Sequence, residues 1–226
     1  MKHKRDVIVF LTTILVLSGL VLQAHAGGVV SDCSKFGSTI GEPGTFATEV
    51  QDGGDVVFDC DGTIIVPSRI DIAIGTKIDA DGHDVTLTSV PEGISSVFQI
   101  ARGITLDLIG LKFTGGKFNV GAIRNDGGVV TITDSLISNN TAGYRGGIYN
   151  QSPSGYIGKM TLTRVTVSNN TTSIDSTVSG GGISNLNYSE MTLVDSTVSG
   201  NNVVDLGGTS ASGGGISNSG GGILTL

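Results

Sequence analysis

Hydrophobic and polar residues alternate along this chain in short runs, broken by Gly, Asn or Asp. In "MTLTRVTVSNN" (160–170), Met160, Leu162, Val165 and Val167 fall on one side of an extended backbone. Thr161, Thr163, Thr166 and Ser168 fall on the other, with a bend near Thr163 and Arg164. Side chains of a strand point to opposite faces in turn, so this pattern predicts short, half-buried strands joined at corners.

The pattern repeats. The word apolar-Thr-apolar-polar is read at Val85 ("VTLT"), Ile104 ("ITLD"), Val130 ("VTIT"), Met160 ("MTLT") and Met191 ("MTLV"), and begins again at Leu224. A second word ends in Asn: "GAIRN" at Asn125, "GGIYN" at Asn150, and "GGISN" at Asn185 and Asn218. A third is the pair Asn139-Asn140, Asn169-Asn170, Asn201-Asn202. The three words keep their order in each copy. One copy carries too few apolar side chains to offset the entropy of ordering its own backbone. Copies must therefore stack, each strand bonding to the coils above and below.

The expected architecture is all-β, a parallel β-helix (solenoid) with coils about 4.8 Å apart. Asn125, Asn150, Asn185 and Asn218 would stack at equivalent corners as an amide ladder. Extra residues loop out between the Asn pair and the Gly pair, at "AGYR", "TTSIDSTVS" and "VVDLGGTSAS". A β-propeller needs about 40 residues per blade, and the spacing of the first copies is too short for one.

The N-terminal part differs. Thr45 to Gln51 reads as a short helix with Phe46 and Val50 on one face, followed by strands around Val56–Phe58 and Thr63–Val66. An apolar-faced helix would cover the first coil and protect its edge. Ahead of it, Lys2, Lys4 and Arg5 precede an uncharged apolar run, and "AHA" (24–26) supplies small residues for cleavage. This is a secretory signal pattern. The expected organisation is a signal peptide over 1–26, an N-terminal cap over 27–66 and β-helix coils over 67–226. The last copy stops partway, at "GGGILTL", and a fragment of a longer protein is expected.

Composition agrees with many strands and tight turns. Gly is 36 of 226 residues and Pro only 4, with no Trp, and Gly shows no three-residue period. Without Lys2, Lys4, Arg5 and Asp6, 10 basic residues stand against 19 acidic ones, a net charge of about −9. Such a surface repels phosphate backbones, which excludes nucleic acid as a partner. Two cysteines, Cys33 and Cys60, are expected to form a disulfide in an exported protein. No His or Lys cluster nearby would activate either as a reactive thiol.

Tandem "GGGI-x-N … MTL-x-x-STVSGNN" units resemble those of secreted bacterial right-handed parallel β-helix proteins of the pectin-lyase-like superfamily. In style they are most similar to the polymorphic-outer-membrane-protein and adhesin-like repeats. The opening is similar too: a Cys precedes a short helix, "GGDVVFDC" leads into "TIIV", and "IDADGHDVTLTS" starts the coils. The resemblance covers roughly residues 33–226. It implies a right-handed coil and export, but not an activity, because one scaffold serves lyases, hydrolases, adhesins and passive stalks.

Hydrolases of that superfamily carry Asn-Thr-Asp, Asp-Asp, Gly-His-Gly and Arg-Ile-Lys words, none of which stands here. The nearest approach is Gly82-His83-Asp84, and His83 has no evident partner as a general base. Asp107, Asp134, Arg164 and Asp195 follow the strand word in successive copies and would share one outer edge. Asp107 over Asp134 is the one place where Ca2+ could be held; otherwise no cofactor is implied. Outward Thr131, Thr133, Thr161, Thr163 and Thr192 form a short array, interrupted by Val194 and Asp107, which is too small for an ice-binding surface.

The expected function is a secreted or surface-displayed structural or adhesin-like scaffold without an evident catalytic site. Expected partners are a cell-surface glycan or protein. A membrane would be met only through export or a further C-terminal anchor, with localisation extracellular, on the cell surface or in the periplasm. The alternative is a polysaccharide lyase or glycoside hydrolase acting on acidic glycans.

Overall fold

The computed structural model describes residues 27–37, 42–51, 53–174, 178–205 and 211–226; the signal pattern over 1–26 lies outside them. The chain is a parallel β-helix, and every strand pair among the described residues is parallel. Each coil contributes one strand to each of three long sheets. The first sheet has eight strands, from Val29–Val30 and Gly54–Phe58 up to Glu190–Val194 and Ile223–Thr225. The second has six, from Gly62–Val66 to Thr197–Ser199, and the third six, from Ile70–Ile72 to Ile216–Ser219.

Alternation along each strand becomes vertical columns once the coils stack. In the first sheet, Val56, Ile78, Leu108, Ile132, Leu162 and Leu193 lie one above another. In the second, Ile64, Leu87, Phe113, Ile137, Val167 and Val198 do the same. In the third, the column is Ile70, Phe98, Ile123, Ile148, Ile183 and Ile216. The three columns face inward and form one continuous core, nearly all of it removed from water. Parallel in-register stacking puts like on like, which is why the sequence repeats.

Three expectations about register need correction. "VTLT" at Val85 belongs to the second sheet, between Gly62–Val66 and Lys112–Thr114, whereas the later copies lie in the first. All three faces of a coil carry the same two-residue alternation, so the word does not tell which face it is on. The copy at Ile104 is shifted by two residues, because Leu106 pairs with Val130. The third Asn pair is shifted by one: Asn202 pairs with Thr171, so Asn201 is the equivalent of Asn170.

The segment between the Asn pair and the Gly pair is more ordered than a loop. Lys117–Phe118, Thr141–Ala142, Thr171–Ile174 and Asn202–Asp205 form a fourth sheet, and Val178–Ser179 pairs with Ala211–Ser212. Past it, the Gly pair answers a steric demand. A Cβ on Gly146 would lie 2.0 Å from the Gly181 carbonyl oxygen, and one on Gly181 would lie 2.4 Å from that of Gly214. Consecutive coils touch there through bare backbone.

At the N-terminus, Val29–Val30 adds a strand below Val57–Phe58, a two-residue element too short to stand out in the sequence. The predicted helix spans Phe46–Gln51, with Phe46, Ala47 and Val50 buried. Phe46 stacks on Phe58 at 5.8 Å and meets Phe98 edge-on at 6.0 Å, closing the bottom of the core. Cys33 and Cys60 form a disulfide. No helix among the described residues is long and apolar enough to cross a membrane.

Candidate functional site

The Asn residues singled out in the sequence stand inside the coil as a continuous ladder. Asn125 Nδ2 donates to Asn150 Oδ1 at 2.9 Å, Asn150 to Asn185 at 2.8 Å, and Asn185 to Asn218 at 2.8 Å. The same Nδ2 groups also reach backbone carbonyls near the corner, such as those of Gly158 and Glu190 for Asn150. A second ladder, at the other corner, went unrecognised in the sequence. Asn140 Nδ2 donates to Asn170 at 3.0 Å and Asn170 to Asn201 at 2.9 Å. The one-residue shift of the third Asn pair hides it.

Other candidates are placed apart. Asp107 pairs with Thr131 in mid-strand, whereas Asp134 sits at the corner in the left-handed region, φ 51°. They are not stacked, because the corner residue of the Asp107 coil is Gly110 (φ 70°). Among the described residues no three His, Cys, Asp or Glu side chains gather as a metal site. Asp134 instead takes a two-pronged contact from Arg164, Nε to Oδ1 at 2.6 Å and Nη2 to Oδ2 at 2.8 Å. These bonds hold the Asp134 carboxyl below the usual carboxylate range and raise the Arg164 guanidinium. His83 lies beside two acids, Nδ1 3.3 Å from Asp61 and Nε2 3.9 Å from Asp59. Thr131, Thr161 and Thr192 form one outward column and Thr133 and Thr163 another, ending at Val194.

The convergent polar groups are found elsewhere, on the outer face of the third sheet. Its outward column runs Asp71, Gln99, Arg124, Tyr149, Ser184, Ser217, and Asp126 stands beside Gln151 in the next. Gln99, Ala101, Arg102, Arg124, Asp126, Gln151 and Pro153 line an open recess of about 540 Å3. The turn after Ile148–Gln151 builds one wall: Gly158 N–H donates to Ser152 Oγ and Tyr156 N–H to the Pro153 carbonyl. Tyr156 thereby folds back over Gly127, where a Cβ would come within 2.9 Å of it.

A fixed network holds the floor. Arg124 Nε contacts both oxygens of Asp126, at 3.0 and 2.9 Å. Gln151 Nε2 donates to Asp126 Oδ1 at 2.6 Å, and the Tyr149 hydroxyl donates to Gln151 Oε1. Arg145 lies over the Tyr149 ring at 4.4 Å, and Arg102 lies 5.7 Å from the Tyr156 ring. Burial pushes the Tyr149 phenol up, against the opposing charges of Arg145 and Arg124. Among the described residues Arg102 and Arg145 form no salt bridge. Two buried polar atoms at this face, Gln99 Oε1 and Arg145 Nη1, have no hydrogen-bond partner.

Around the recess Arg102, Arg124 and Arg145 stand against Asp126, while Asp71 lower in the column is paired to Arg69, so this face is locally positive on a chain whose formal charge is −7. Asp126, the one carboxylate of the recess, is held by two donors. The arrangement offers fixed donors and acceptors to a ligand, rather than a base poised to take a proton. The signal for it stood in the words "GAIRN" and "GGIYN": the residue before each Asn is the outward one. No family model, curated protein or solved structure matches the chain.

Proposed function

We propose that the chain is a secreted or surface-displayed β-helix with a structural and adhesive role, a rod that presents a recognition face. The observation that carries this reading is the convergence of Gln99, Arg102, Arg124 and Gln151 on one recess, with Asp126 already engaged. Rows of Thr and Ser clothe much of the first and second sheets, among ion pairs such as Lys159–Glu190 and Lys77–Asp79. The Cys33–Cys60 disulfide supports an oxidising compartment. The resemblance to adhesin-like repeats points the same way.

The test is protease treatment of intact cells that produce the full gene product. Loss of the protein without lysis, together with an oxidised Cys33–Cys60 pair, is the expected result. Retention in the cytoplasm with free thiols would overturn the proposal, as would turnover of an acidic polysaccharide by the purified protein.

A further inference from the structure

We infer that the rods associate side by side, with the acidic corner of one copy seated on the arginine face of the next. The inference goes beyond the display reading and does not depend on it.

Charge is segregated around the coil. Four of the five arginines among the described residues, Arg69, Arg102, Arg124 and Arg145, stand at the third sheet, one on each of four successive coils. Asp71 engages Arg69 and Asp126 engages Arg124, which leaves the face at +2. The opposite sign lies at the corner between the first and second sheets. Asp59, Asp61, Asp81, Asp84, Asp134 and Asp195 are all exposed there. Arg164 and Lys112, paired to Asp134 and Asp84, are their cationic partners, so with His83 neutral the corner stands at −4. Each coil visits the first, second and third sheets in that order. This corner is therefore the one that does not border the third sheet, and the two charges lie on opposite sides of the rod.

The two surfaces match coil by coil. Counting from the coil that starts with Gly54–Phe58, the first carries Asp59 and Asp61 at the corner and Arg69 at the face. The second carries Asp81 and Asp84, and its face holds Arg102, which is exposed and has no ion pair among the described residues. The third has Gly110 at the corner, and its arginine, Arg124, is already held by Asp126. The fourth has Asp134 at the corner and Arg145 at the face. The fifth has a cation at the corner, Arg164, and its face offers Ser184 in place of an arginine. A sideways shift of one copy without rotation thus sets carboxylates against arginines and no arginine against Arg164.

Both surfaces repeat at the coil spacing of about 4.8 Å, so the match extends along the axis. A generic polyanion would account for the arginines and leave the corner without a role. Because corner and face are different surfaces, the contact is heterologous and builds an open row. The net charge of −7 opposes approach at long range, so the contact forms where salt screens the whole molecule but not the touching pairs.

The experiment is sedimentation velocity with small-angle scattering on the full chain, disulfide intact, over a concentration series. At about 0.1 M salt, where the Debye length is about 10 Å, the protein should grow with concentration by widening; at about 1 M it should be monomeric. A face variant, Arg69→Glu with Arg102→Glu, and a corner variant, Asp59→Asn with Asp81→Asn and Asp84→Asn, should each associate at least about tenfold more weakly. Mixed in equal amounts, they should form one-to-one pairs that grow no further, because one intact corner then meets one intact face. Lys159→Gln, on the first sheet and paired to Glu190, should associate like the parent. Circular dichroism of each variant excludes misfolding as the cause.

The inference is overturned if the parent stays monomeric at about 0.1 M salt, if its association ignores salt, or if it grows in length alone. It is equally overturned if the folded variants associate like the parent, or if their mixture forms no pairs. A monomeric protein found on the cell surface loses only this contact, and an intracellular one that forms rows loses only the display role.

Discussion

Asn150 donates from Nδ2 to Asn185 Oδ1 at 2.8 Å, across 35 residues of chain and a single step between coils. The bond is fully buried and belongs to a group that also serves the Gly158 and Glu190 carbonyls. Asn150→Ala takes one bond each from Asn125 Nδ2, Asn185 Oδ1 and the two carbonyls and breaks the ladder in its middle, and a buried polar group left short costs about 1–3 kcal/mol. Asn150→Ala should therefore lower stability by about 3 kcal/mol in urea melts. Asn218 sits at the exposed end of the ladder, where water replaces it, so Asn218→Ala should cost about 1 kcal/mol or less. Equal losses at both positions would contradict the ladder as a buried unit.

The coil spacing makes a second demand. A Cβ on Gly181 would lie 2.4 Å from the Gly214 oxygen and 2.5 Å from the Asn202 oxygen, both backbone atoms that cannot rotate away. On Gly215 the nearest atom would be Val198 Cγ1 at 3.7 Å, an ordinary contact. Gly181→Ala should destabilise by about 2–3 kcal/mol, as overpacking does, and Gly215→Ala by less than about 0.5 kcal/mol. Thermal melts of the two single variants separate a steric role from a merely conformational one.

Reduction of Cys33–Cys60 should act locally. The bond joins residues 27 apart, and for a loop of about 28 residues the chain-entropy model gives roughly 3.5 kcal/mol. In a stack where each coil touches only its neighbours, that loss stays near its source. Hydrogen exchange after reduction should rise in Val29–Val30 and Phe46–Gln51, and leave Ile148–Gln151 unchanged. A uniform rise along the chain would show that the coils unfold as one unit instead.

The parts of the molecule that repeat were legible in the sequence, because stacking in register forces like residues onto like positions. Asn125, Asn150, Asn185 and Asn218 occupy one column, and their spacing in the chain only records how far each coil loops out. Where the word is common to all faces, it misleads: "VTLT" at Val85 has the right alternation on the wrong sheet. The recess was not legible for the opposite reason. Gln99, Arg124 and Tyr149 share a column but not a residue type, so the words that hold Arg124 and Tyr149 mark their position without marking a common chemistry. Only the register of the third sheet brings them together, and Asp107 and Asp134 fall apart by the same register.

The corner between the first and second sheets gives a pH-dependent test. Asp134 and Arg164 both adopt left-handed backbone, φ 51° and 54°, and hold each other across one coil step through two hydrogen bonds. Arg164 favours the charged form of the Asp134 carboxyl, so the folded-state pKa lies below the unfolded value of about 3.9. A depressed acid pKa contributes stability that is complete above the unfolded value and is lost as pH falls through the folded one. The pair is exposed, so the effect on overall stability at neutral pH should be small. Carboxyl carbon NMR should place the Asp134 midpoint below about 3.9 in the parent and raise it in Arg164→Gln. Asp195, at the same corner one coil on, also favours the charged guanidinium, so Asp195→Asn should leave the Asp134 midpoint nearly unmoved. An Asp134 midpoint that ignores Arg164→Gln would show that the two-pronged contact does not persist in solution.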